Sequence, residues 1–164
     1  MRRIQGLADW LTLVGGIGLF VSLFFTWSHQ LTPPVLAQYA GSPALQGVPA
    51  DPTAWQVYSV ADVLLALLAG SLVAVALRGR SRGARVTALV AVGLALAFTA
   101  HASGVAPTNG VLLIDPSNPS AYLPHDATSG AGETLALVAL AVAAAGLLAS
   151  LGWDLSSKRV RSSR

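Results

Sequence analysis

The sequence predicts an all-α integral membrane fold: a four-helix bundle, antiparallel and up-down-up-down, with two long extracytoplasmic loops. Three observations carry this. Of 164 residues, 54% are hydrophobic and 10% charged, with a mean hydropathy of +0.63. A soluble domain carries roughly 25% charged residues, so this chain cannot cover a water-facing surface. Four long apolar runs hold no Lys or Arg at all. All ten Lys and Arg residues fall in three islands instead: Arg2 and Arg3, then Arg78, Arg80, Arg82 and Arg85, then Lys158, Arg159, Arg161 and Arg164.

The spans are expected over residues 7–27, 58–77, 86–103 and 134–153. Each is close to the ~20 residues that a helix rising ~1.5 Å per residue needs to cross hydrocarbon. Lipid offers no partner to an open backbone group, and Leu and Ala, which dominate all four runs, favour the helix that closes them. Successive basic islands are separated by pairs of spans, so they share one side. The positive-inside rule makes that side the cytoplasm. Both termini are then cytoplasmic, and residues 28–57 and 104–132 form the outer loops of a single domain, 1–164, in the plasma membrane.

Arg2 and Arg3 ahead of an apolar run also resemble the start of a secretory signal. The run exceeds the ~7–15 residues of a signal core, and the small-residue pair Val35 and Ala37 lies well past Trp27, so the run is expected to remain as a span. Trp10 and Trp153 fall at cytoplasmic ends, and Trp27, Trp55 and Tyr58 at outer ends. Amphipathic rings favour the membrane interface, so all four Trp residues are expected to be anchors there.

Nine prolines punctuate the two outer loops, where they disfavour long helices. A short apolar piece over residues 35–39 is expected to lie on the membrane surface. The linker over residues 78–85 is short, which is expected to make the second and third helices antiparallel neighbours. Spans in lipid associate through small residues. The rows Gly15, Gly18, Ser22 in the first span, Ala66, Gly70, Ala74 in the second and Ala141, Ala145, Ala149 in the fourth are therefore expected to pack, chiefly within one copy. The two halves share a layout of span, long loop and returning span, with Asp62 and Glu133 opening the second and fourth spans. A parallel repeat accounts for this, and so does coincidence between Leu/Ala-rich helices.

Asp62 is the leading candidate site residue, about one turn inside the second span. Intramembrane carboxylates usually face protein and have a partner. His101, near the outer end of the third span, is the candidate for it. Two readings stay open: a proton-sensitive couple, since His titrates near neutrality, or a helix-start carboxylate favoured by the dipole, with His101 merely near water. Glu133, in the first turn of the fourth helix, is expected to cap it.

Other chemistries find little support. There is no Cys, which excludes disulfides and thiolate sites. The three His residues, His29, His101 and His125, show no zinc-ligand spacing. No phosphate-binding glycine loop and no nucleophile elbow occurs. No enzyme activity, metal or cofactor is expected. The net charge of +3 and pI near 10.0 suit nucleic acid in amount but not in distribution, because the basic residues flank apolar spans. Anionic lipid heads are the better partner for them.

Ser22-Leu23-Phe24-Phe25-Thr26-Trp27, together with Trp55-Gln56-Val57-Tyr58-Ser59-Val60-Ala61-Asp62-Val63-Leu64-Leu65-Ala66-Leu67, resembles a group of small four-span membrane proteins of actinobacteria. In that group an F-L-P-W-like end to the first helix precedes a W-x-x-F-S-V-x-D-x-L-L-A-L start to the second. This chain has Thr26 in place of Pro and Tyr58 in place of Phe. The resemblance implies four spans, directs attention to Trp55 and Asp62, and names no activity. The expected function is that of a non-enzymatic interaction or accessory protein, held in the lipid bilayer with a membrane-protein partner or a second copy of the chain. The alternatives are an oligomeric small-solute or ion transporter or channel, and a binder of lipid or apolar ligand beneath the outer loops.

Overall fold

Helices account for most of the described chain. The structure, a computed structural model, describes residues 2–29, 51–57, 60–78, 81–102 and 128–162. Its elements are α1 (Arg2–Ser22), β1 (Ser28–His29), α2 (Ala54–Val57), α3 (Ala61–Arg78), α4 (Arg82–Ala102), β2 (Thr128–Ser129) and α5 (Ala131–Ser162). Three stretches are long and apolar enough to cross a membrane: Ala61–Arg78, Arg82–Ala102 and Ala131–Trp153. A shorter apolar helix, Gly6–Ser22, accompanies them. By length and composition these helices are compatible with an all-α membrane bundle. The surface piece expected over residues 35–39, and His125 with the second loop around it, lie outside the described residues.

Local chemistry sets the helix ends. Ser81 Oγ accepts from Ala84 N at 3.4 Å, an N-cap for α4. Gln56 Oε1 accepts from Thr53 N at 3.1 Å, half of a capping box on α2. The first span was expected to continue to residue 27, but α1 ends at Ser22. There Leu23, Phe24 and Phe25 each donate three residues back, to Phe20, Val21 and Ser22. Such tightening closes carbonyls that a longer helix would have used. At the other extreme, α5 continues nine residues past the expected end of its span.

Each helix presents one stripe inward at three- and four-residue intervals. On α3 it is Asp62, Leu65, Ala69 and Leu72; on α4 it is Arg85, Ala88, Val92, Ala95 and Thr99. α1 supplies Leu19, with Leu23 just past its end, and α5 supplies Ala136, Leu140, Ala143 and Leu147. Large apolar side chains such as Ile17, Leu64, Leu94 and Leu148 face outward. Hydrocarbon suits such a surface and water does not.

Contact is greatest between α1 and α5, then between α1 and α3, then between α4 and α5. The α3–α4 contact is the smallest of these helix pairings. The short linker was expected to make α3 and α4 antiparallel neighbours, and the two do touch, but joining the ends of two helices does not fit their faces. α1 and α5 fit because small residues meet. A Cβ on Gly15 would stand 2.6 Å from Ala139 O and 2.7 Å from Ala143 Cβ. On Gly146 it would stand 2.6 Å from Thr12 Oγ1 and 2.7 Å from Ala8 O. Low residue numbers on α1 thus meet high ones on α5, and the two helices run in opposite directions.

The other expected rows turn out differently. Ala141, Ala145 and Ala149 are exposed, as is Gly70, while Ala66 and Ala74 are half-buried. In an Ala-rich helix several rows have the same size. The row that packs is the one in phase with Gly146, and residue size alone does not reveal it.

Candidate functional site

Two features stand out: enclosed polar residues at helix ends, and an apolar groove between α3 and α4. The first begins with Trp27. It was expected to anchor at the membrane interface, but it is 1% exposed and part of the core. Its indole Nε1 donates to Ser22 O at 2.8 Å, taking a carbonyl that the end of α1 leaves open. Its backbone N donates to Pro52 O at 2.9 Å, and its O accepts from Gly130 N at 2.7 Å. Thr26 O accepts from Gly132 N at 2.7 Å, and Thr26 bridges Thr53. A Cβ on Gly132 would stand 2.5 Å from Trp27 Cδ1, so the start of α5 closes over the indole only because that position is glycine.

Antiparallel pairing of β1 with β2, Ser28 opposite Ser129 and His29 opposite Thr128, extends this joint. His29 Nδ1 and Asp51 Oδ1 make an exposed hydrogen-bond contact at its edge. Sequence reasoning missed the joint because its partners are distant along the chain. The one local signal was Ser22, whose own hydroxyl donates to Leu19 O at 2.6 Å, as expected of a residue that ends a helix.

The other Trp residues sit differently. Trp10 is 64% exposed, Trp55 is exposed with its ring 6.0 Å from that of Phe24, and Trp153 is half-buried. Exposure suits the expected interface role of Trp10 and Trp55.

Asp62 is the second residue of α3 and is 0% exposed. Glu133 is the third residue of α5 and is 4% exposed. Both lie in a first helical turn, where backbone N–H groups favour negative charge. His101 is exposed near the end of α4. The polar side chain of α4 that is enclosed near that end is Thr99, which donates to Ala95 O at 2.9 Å. Among the described residues no group of three or more His, Cys, Asp or Glu could hold a metal ion.

Arg85 was grouped with the basic island facing lipid heads. It is buried instead, in phase with the α4 stripe, and its Nη2 lies 3.7 Å from Asp9 Oδ1 of α1. Its spacing from Ala88 and Val92 was the available signal, legible once the inward face of α4 is known.

The groove lies between two helices. It encloses about 590 Å³ between the first half of α3, with Leu64, Leu65 and Leu68, and the second half of α4, with Leu94, Ala95 and Phe98. Apolar side chains alone line it. No protein-family model matches the chain, and no curated protein and no solved structure matches it.

Proposed function

We propose that the chain is a multi-pass plasma-membrane protein acting without catalysis, as an interaction or accessory protein. In this reading four helices run up-down-up-down, both termini are cytoplasmic, and the β1–β2 joint lies on the outer side. The three basic islands support that orientation, since all fall on one side of such a threading.

The observation that carries the interaction role is an unused helix face. Gly70 is exposed, and a Cβ there would meet nothing within 4 Å. The exposed row Ala141, Ala145 and Ala149 offers a comparable face on α5. Small residues facing lipid let another helix approach at backbone distance. Cross-linking in native membranes tests this. A defined partner or a second copy should be captured through α3 or α5, and Gly70→Leu or Ala145→Leu should weaken the capture. A lone monomer under the same conditions overturns the reading.

The enclosed carboxylate of Asp62 favours a transporter or channel as the second reading, because ionisable groups inside spans often mark solute paths. Leu19, Leu72, Leu140, Leu147 and Val92, each at most 1% exposed, fill the bundle centre and oppose an aqueous route through one copy. Flux into proteoliposomes that is lost in Asp62→Asn would favour this second reading over the first.

A further inference from the structure

We draw no further inference here: the strongest candidate, the apolar groove between the first half of α3 and the second half of α4, carries nothing because nothing in the structure shows what covers it.

Discussion

Between α1 and α5 two helices touch at backbone distance; between α3 and α4 two helices part around about 590 Å³ of space. The first pair is far apart in sequence and the second is joined by a few residues. Both draw on the same small alphabet of Leu, Ala, Val and Gly, so composition does not explain the contrast. Phase does. Gly15 and Gly146 fall on the inward faces of their helices, whereas Gly70 and Gly93 are exposed with open space around them. Where no hydrophobic force drives one helix onto another, the pair with small residues in register packs. The pair with Leu on both sides stays apart, however short its linker.

The sharpest way to break the comparison is at the end of the tight seam. Trp27→Ala removes the largest enclosed side chain among the described residues and should cost about 3–5 kcal/mol, read as a large fall in thermal unfolding temperature in mild detergent. Trp27→Phe keeps most of the volume and removes the donor to Ser22 O, and should cost about 1 kcal/mol. If the alanine variant unfolds like the parent, Trp27 is not the plug that its burial indicates.

Within the seam, Gly15→Val should cost about 3 kcal/mol by forcing α1 from α5. The matching Gly93→Val, away from any contact, should stay within about 0.5 kcal/mol. Equal effects on unfolding in detergent would mean that glycine in register does not distinguish the two pairs.

The smallest expected effect concerns the Arg85–Asp9 pair. A double-mutant cycle with Asp9→Asn and Arg85→Gln should give a coupling of about 0.5–1 kcal/mol, because Asp9 is 38% exposed and the separation is 3.7 Å. A coupling near zero would make Arg85 a packing residue that helps hold α4 in place without an electrostatic link to α1.

Much of the fold was legible in the sequence. Apolar runs and basic islands located the helices, because lipid demands long uninterrupted hydrophobic segments and charge marks where they stop. Less legible was which way each helix faces. A helix apolar on all sides has no polar face to set its rotation, so the Ala141, Ala145, Ala149 row was chosen over the Ala139, Ala143 pair that meets Gly15. Trp27 was misplaced for a related reason. A Trp at a span end fits the interface as well as the core, and the choice depends on Ser22, Pro52 and Gly130 arriving around it. Asp62 was singled out because a carboxylate amid Leu and Ala stands out in any register, and the structure encloses it. The groove had no sequence signature. It arises from the failure of two faces to meet, and a failed fit leaves no motif.

The contact between His29 and Asp51 has an engineering consequence. His29 and Asp51 stand side by side, so the segment that joins them begins and ends at almost the same spot. Lengthening such a closed excursion carries little entropic penalty, about 0.6 kcal/mol for each doubling. A reporter domain or epitope spliced between them would start and finish at one fixed mooring.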